Sequence, residues 1–319
     1  MTARLDVREV LCPTDFSLVS ERALRHAIAL AQRFSSRLTI VHAIASPPMP
    51  PDEPLYLSEP VPSLQDLRVA AEHEMRRFLE PATEAGVPVT SVIREGQPWR
   101  EILETARAEP ADLVVIGTHG RGGFERLLLG SVAEKLLHRL PCPVLTVCHE
   151  EGRTWNAPGL VTRVLCAVDF SDAAPATIAY ALALADKIGA AATLLHVVET
   201  LPDSRHLPYV AMPDIKLYRH QIESWAAERL HELVPPAERA AEPRERIAAG
   251  RAYEEILRVA AEESADLIVI GAGEHGALGR MLLGSTAHHV VRAATCPVLT
   301  VRPTPVRRAA ETGAMAAVS

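Results

Sequence analysis

Apolar residues in this chain come as short runs, separated by stretches in which they recur at helical spacing. Glu9-Val-Leu-Cys12 reads as a strand ending at Pro13-Thr-Asp15, and Ser17 is placed to cap a helix whose apolar face is Leu24, Ala27, Ile28 and Ala31. Leu38 to Ile44 is a second strand, and a charged helix runs from about Ser63 to Glu84. A strand at Val87 to Arg94 leads to a helix from near Pro98, with Ile102, Leu103 and Ala106 turned inward. Asp112 to Gly117 is the fourth strand, Ser131 to about Arg139 the last helix, and Pro143 to Val147 the last strand. Strands alternating with helices in this way predict right-handed crossovers and an α/β, doubly wound parallel sheet.

The pattern occurs twice, and adding 154 to a position in the first half finds its counterpart in the second. Cys12 becomes Cys166, Asp15-Phe-Ser17 becomes Asp169-Phe-Ser171, His42 becomes His196, and Asp112 becomes Asp266. Gly117 becomes Gly271, Gly130-Ser131 becomes Gly284-Ser285, and Cys142-Pro-Val-Leu-Thr-Val147 becomes Cys296-Pro-Val-Leu-Thr-Val301. A register held over a repeat this long means duplication of a whole domain with its own core. The division expected is a first domain at 1–150, a linker at 151–162, a second domain at 163–303 and a disordered tail at 304–319.

Residues 45 to 62 hold seven prolines, so a long stiffened loop is expected there, leaving the C-terminal end of a strand. Ligands of open parallel sheets bind at that end, which places the loop as a lid or partner-binding flap. Its counterpart, through Pro202, Pro208 and Pro213, has a different sequence, so lid behaviour should differ between the copies.

Composition narrows the classes. Aromatic residues are only 4% of the chain, so the cores must be built from Ala, Val, Leu and Ile. A formal net charge of −7 gives no electrostatic footprint for nucleic acid or an anionic membrane. No apolar signal-peptide core or eighteen-residue apolar run is present, and a cytoplasmic protein is expected. Five cysteines form no Cys-x-x-Cys pair; Cys12, Cys142, Cys166 and Cys296 read as small core residues, with Cys148 the odd one out.

The candidate chemistry lies at Val114-Val-Ile-Gly-Thr-His-Gly-Arg-Gly-Gly-Phe-Glu-Arg-Leu-Leu-Leu-Gly-Ser131, a strand running into a glycine-rich loop and then a helix. Gly117 and Gly120 can take positive φ and turn backbone N–H groups inward, and Gly130-Ser131 opens a helix whose N-terminus favours an anion. The Ser131 hydroxyl and Arg121 add a donor and a charge, while Asp15, at the tip of the first strand, suits ribose hydroxyls or a phosphate-bound Mg²⁺. Without Gly-Lys-Ser/Thr the loop is not that of motor ATPases. Alternatively, the glycines serve only a tight connection between strand and helix. His42 and His196 are expected to be hydrogen-bonded core histidines, His119 is a candidate for touching phosphate, and His288-His289 makes no metal site.

The spacing Gly117-x-x-Gly120, nine residues, then Gly130-Ser131, together with Pro13-Thr-Asp-Phe-Ser17, Ile40-Val-His42 and Pro141-Cys-Pro-Val-Leu-Thr-Val147, resembles the ATP-binding branch of the universal stress protein family. The resemblance implies two domains of five strands each, in the order 3-2-1-4-5, pairing as a pseudo-dimer through Val144 to Val147 and Val298 to Val301. It implies a site formed by Pro13, Thr14 and Asp15, by Val41 and Ala43 beside the adenine, and by Gly117, Thr118, His119, Gly120, Arg121, Gly130, Ser131 and Val132. A second site would use Asp169, Val197, Gly271, Gly273, Gly284, Ser285 and Thr286.

In that second copy Glu274 replaces Gly120. A carboxylate about 4 Å from a phosphate charge costs about 4 kcal/mol at an effective dielectric of 20, so weak or no binding is expected there, unless Gly273 and Gly276 let the loop re-form. With no Walker lysine or paired carboxylates, ATP, with Mg²⁺ held through its phosphates, is expected to act as a switch, hydrolysed slowly at most. The resemblance implies a regulatory stress-response protein with a protein partner, its chains pairing further as a homodimer. The alternatives are a slow ATPase or other adenine-nucleotide enzyme, and a nucleotide-free scaffold working through its surface.

Overall fold

The computed structural model describes residues 5–45, 63–118, 129–148, 161–199, 215–236, 242–273 and 283–302. The proline-rich segment at 46–62, its counterpart through Pro202, Pro208 and Pro213, loop residues His119, Gly120, Arg121, Glu274 and Gly276, most of the linker, and the tail lie outside the described residues.

The first half runs β1 (Glu9–Thr14), α1 (Leu18–Phe34), β2 (Arg37–Ile44), α2 (Leu64–Glu84), β3 (Val89–Glu95), α3 (Pro98–Ala108), β4 (Leu113–Gly117), α4 (Ser131–Leu137) and β5 (Val144–Val147). The second repeats it as β6 (Arg163–Ala167), α5 (Ala174–Ile188), β7 (Ala191–Val198), α6 (Ile215–Leu233), β8 (Arg244–Ala249), α7 (Ala252–Glu262), β9 (Leu267–Gly271), α8 (Ser285–Ala293) and β10 (Val298–Val301). Helix starts follow local chemistry. The Ser17 hydroxyl accepts from the Ser20 N–H at α1, and Ser63 and Asp66 form a reciprocal capping box at α2. At α5, where the cap is an alanine, Pro175 occupies the first turn. Helix α4 ends at Leu137, one residue into the Leu137-His138-Arg139 stretch, and is shorter than its apolar spacing suggests.

Each half has the strand order 3-2-1-4-5, and each set of five is parallel. The two sets are not separate sheets. β5 and β10 pair antiparallel, with Leu145 opposite Leu299 and Thr146 opposite Val298, giving one ten-stranded sheet. The two copies of Val-Leu-Thr-Val thereby satisfy each other's exposed backbone edge.

Strand alternation separates two cores. Val10, Cys12, Leu113, Val115, Leu145 and Leu299 face one side, under α1, α2, α5 and α6, whose contributions include Ala27, Phe78, Ile178 and Leu230. Leu11, Val114, Ile116, Val144 and Val298 face the other, under α3, α4, α7 and α8. Both cores contain residues of both halves, so the halves share them. Asp112 ties the starts of β1 and β4 by accepting from the N–H groups of Arg8 and Glu9, and Asp266 does the same with Thr162 and Arg163. Among the described residues no helix is long and apolar enough to cross a membrane.

Candidate functional site

β1 lies between β2 and β4, so the chain leaves its C-terminal end where the connections on one side run to β2 and β3 and on the other to β4 and β5. Such a reversal opens a crevice at the strand ends. Asp15 stands in it, half-buried, its Oδ1 accepting from the Ser17 N–H at 3.1 Å and the Ser17 hydroxyl at 2.6 Å. Thr14 turns inward instead. Its hydroxyl donates to Ser20 Oγ at 3.0 Å and accepts from the Phe16 N–H at 2.9 Å, and only 7% of the residue is exposed. Phe16, between Asp15 and Ser17, takes a φ of 60°, a left-handed conformation that is uncommon for an aromatic residue.

Gly117 ends β4, and its φ is not positive, contrary to the sequence expectation. Its need for glycine is steric, because a Cβ there would stand 2.8 Å from Val19 Cγ1 in the first turn of α1. Thr118 is likewise turned in, 3% exposed, with both its N–H and its hydroxyl donating to the Val147 carbonyl, so its side chain serves the sheet and not the crevice. The Gly130 N–H donates to the Thr118 carbonyl at 2.7 Å. That hydrogen bond closes the neck of the glycine segment, and it commits an N–H that the sequence reading offered to phosphate. The N–H groups of Ser131 and Val132 begin α4, where no intrahelical acceptor exists for them.

The remaining residues divide clearly. Ser131, which begins α4, is exposed, and Val132 and Ala43, the latter near the C-terminal end of β2, are half-buried. Pro13 and Val41 are buried as register partners, and Val41, fully enclosed, packs into the core under α3 and α4, so it supports the site from below.

The second copy repeats the frame. Asp169 Oδ1 accepts from the Ser171 hydroxyl at 2.6 Å and is exposed. The Gly284 N–H donates to the Ala272 carbonyl at 3.0 Å. Gly273, which stands where the first copy has His119, takes a φ of 88° and comes close to Gly284, where an added Cβ would lie 3.7 Å from the Gly273 Cα. Ser285 is exposed, and Val197 and Thr286 are half-buried. Gly271 is roomier than Gly117, its nearest neighbour being Thr177 Oγ1 at 3.3 Å.

Both strand histidines are structural. His42 Nδ1 donates to the Thr14 carbonyl at 2.8 Å and its ring lies 4.4 Å from that of Phe16. His196 Nδ1 donates to the Val168 carbonyl at 2.8 Å and stacks on Phe170 at 3.8 Å, and burial lowers its pKa. A third histidine, which the sequence did not single out, crosses between the halves: the Leu283 N–H, just before Gly284, donates to His138 Nδ1 at 3.2 Å. Because Nδ1 accepts, His138 is neutral there, and burial lowers its pKa. Arg302, 4% exposed at the end of β10, donates to the Leu137 carbonyl of α4. Phe16, Val19 and His138 were thus missed; the repeated Asp-Phe-Ser hints at the first, but Val19 and His138 have no counterpart, Ala173 and Arg292 standing in their places.

Comparison with known proteins agrees with this architecture. Residues 7–147, and again 161–302, match the profile of the universal stress protein family. A universal stress protein of Methanocaldococcus jannaschii is 36% identical over 143 residues, covering 44% of this chain and 81% of that protein. One of Mycolicibacterium smegmatis is 27% identical over 304 residues, 92% of this chain and 97% of that protein. The crystal structure of a universal stress protein from Archaeoglobus fulgidus shares the fold with a TM-score of 0.65 at 22% identity, over 94% of this chain and 97% of that one. With two matching segments joined in one sheet, the chain belongs to the universal stress protein family as a tandem pair of its domains.

Proposed function

We propose that the first domain binds an adenine nucleotide in the crevice at the ends of β1 and β4, and that the nucleotide is a switch and not a substrate. The observation that carries this reading is the convergence, at the point where strand order reverses, of the Asp15 turn, the narrow neck at Gly117 and Thr118, and the exposed Ser131 that opens α4. Asp15 would accept from ribose hydroxyls or meet a phosphate-bound Mg²⁺, Ala43 would lie beside the base, and Ser131 with the N–H groups of the first turn would meet phosphate. Phosphate oxygens, with water, would hold most of the Mg²⁺ coordination sphere.

Binding across Asp15 and Ser131 favours the arrangement that sets α1 and α4 at one spacing. Helix α4 is in turn joined to the second domain by the His138–Leu283 and Arg302–Leu137 hydrogen bonds, so occupancy can be felt there. In the second domain Glu274 replaces Gly120, and affinity is proposed to be much weaker, although Gly273 supplies positive φ one residue earlier. The role is regulatory, in a stress response, through a protein partner that reads the nucleotide state.

The test is to denature the purified full-length protein, quantify released nucleotide per chain, and titrate the emptied protein with Mg-ATP. One nucleotide per chain, lost in Gly130→Glu and kept in Gly284→Glu, is expected. Two per chain would show that the second loop adapts around Glu274. Neither bound nucleotide nor binding on titration would overturn the reading, and steady release of ADP would turn the switch into an ATPase.

A further inference from the structure

The seam between the domains carries a thiol pair. In the antiparallel pairing of β5 and β10, Val298 stands opposite Thr146, Leu299 opposite Leu145 and Thr300 opposite Val144. Carried two residues further, the same register sets Cys148 opposite Cys296. Alternation places both on the face of the sheet that holds Val144 and Val298, and Cys296 packs against that core. The two thiols are close enough for the charge of one to raise the pKa of the other. Cys148 lies one residue past β5 and Cys296 two residues before β10, just beyond the paired positions; within the ladder, directly opposed Cα atoms are about 4.5–5.5 Å apart, inside the range of about 4.4–6.8 Å that a disulfide spans. Both are thiols in the structure, and both are only partly buried, unlike Cys12, Cys142 and Cys166.

The other end of the seam provides a control. The same register sets Cys142 opposite Arg302, and the repeat makes Arg302 the counterpart of Cys148 and Cys142 the counterpart of Cys296. There the guanidinium is buried and donates to the Leu137 carbonyl, so that end holds a thiol and a cation and has no thiol partner. The two ends of a pseudo-symmetric seam are therefore chemically different.

We propose that Cys148 and Cys296 form a reversible disulfide that staples the last strand of one domain to the last strand of the other when the protein meets a peroxide. The Cys148 sulfur attacks a peroxide oxygen, the S–O bond forms as the O–O bond breaks, and the leaving hydroxide takes the thiol proton away as water. The Cys296 sulfur then attacks the Cys148 sulfur, forming S–S and breaking S–O, and the second hydroxide leaves with the Cys296 proton. Two thiols and one hydrogen peroxide give one disulfide and two waters, and a dithiol reverses the step. Cys148 takes the first role because burial, with Cys148 and Asp266 adding to it, pushes the Cys296 thiol up to about 12 and keeps it protonated.

The staple has a place to act. Val147, the residue before Cys148, is the acceptor of both hydrogen bonds from Thr118, so the crosslink fixes the strand end on which the first glycine segment hangs.

The experiment is to treat the full-length, reduced protein with hydrogen peroxide, block remaining thiols with N-ethylmaleimide, digest without reductant and map linkages by mass spectrometry. A monomer whose Cys148 and Cys296 peptides are joined, two hydrogens lighter than their sum and separated again by dithiothreitol, is expected. The linkage should vanish in Cys148→Ser and in Cys296→Ser and persist in Cys142→Ala; if that last variant does not fold, the map of the unaltered protein decides. A disulfide between Cys148 residues of two chains, oxidation of Cys148 to sulfinic acid with Cys296 still labelled by the maleimide, or two unreacted thiols would each overturn the proposal.

Discussion

Gly117 and Val19 are in contact so close that a methyl group on the glycine would come within 2.8 Å of Val19 Cγ1. Gly117→Ala should therefore destabilise the first domain by about 1–3 kcal/mol through forced displacement of α1. Gly271→Ala, facing Thr177 Oγ1 at 3.3 Å, should cost less than about 1 kcal/mol. Adding Val19→Ala to Gly117→Ala should restore part of the loss, which urea denaturation of the three variants measures.

His26 lies inside α1, 2% exposed, with Nδ1 donating to the Arg22 carbonyl. Burial, with a smaller contribution from Arg25, takes its pKa down to about 4 against the opposing effect of that carbonyl. The unfolded chain binds a proton near pH 6.5 and the folded one only near 4, so stability is complete above the first value and falls as pH drops through the second. Between pH 7 and pH 5 the loss should be about 2 kcal/mol. In His26→Gln the slope over that interval should flatten, as read from urea midpoints at the two pH values.

Asp15 holds its turn and, on the proposed reading, also meets the nucleotide, and two substitutions separate these roles. Asp15→Asn keeps an oxygen for the Ser17 N–H and hydroxyl, so its melting temperature should match the parent, while loss of the charge weakens Mg-ATP binding by about tenfold. Asp15→Ala removes the turn acceptor too and should lower both. Calorimetric titration beside thermal melting distinguishes the cases.

Arg302 is buried, and burial holds its pKa below the ordinary arginine value. Arg302→Met keeps most of the volume, and relief of the buried charge offsets the Leu137 carbonyl that it too leaves unmet, so it should change stability by less than about 1 kcal/mol. Arg302→Ala leaves a cavity and an unmet Leu137 carbonyl, and should cost about 2–4 kcal/mol. Thermal melts of the two variants give the comparison.

The fold was legible because its signals are local and repeated. Leu24, Ala27, Ile28 and Ala31 announced the buried face of α1, Ser17 its cap, and a constant offset between halves exposed the duplication. The merging of two sheets into one was legible only as a pairing of last strands, since hydropathy cannot say whether Val144 to Val147 meets a neighbour edge to edge or face to face. At the site, the glycine spacing pointed to the strand-end crevice on which the proposed site rests, and several of its residues have packing roles that the spacing did not convey. Gly117 answers to Val19, which lies far away in sequence, and no single-chain pattern reports a steric contact of that kind. Thr118 and Val41 stood in the motif as ligand contacts, yet their side chains are enclosed, because a motif records position and not the direction in which a residue points. His138 carried no signal at all, as its partner is a backbone N–H in the other half.

The joined strands also impose an order on synthesis. β5 is finished at Val147, but its partner β10 is not complete until Val301, 154 residues later. At a translation rate of about 5–20 residues per second, the apolar edge of a completed first domain waits about 8–30 s for its own second half. Polysomes hold neighbouring nascent chains at successive stages, so on a crowded message the β10 of a leading chain can meet the waiting β5 of the chain behind it, and the intertwined product should rise with ribosome density.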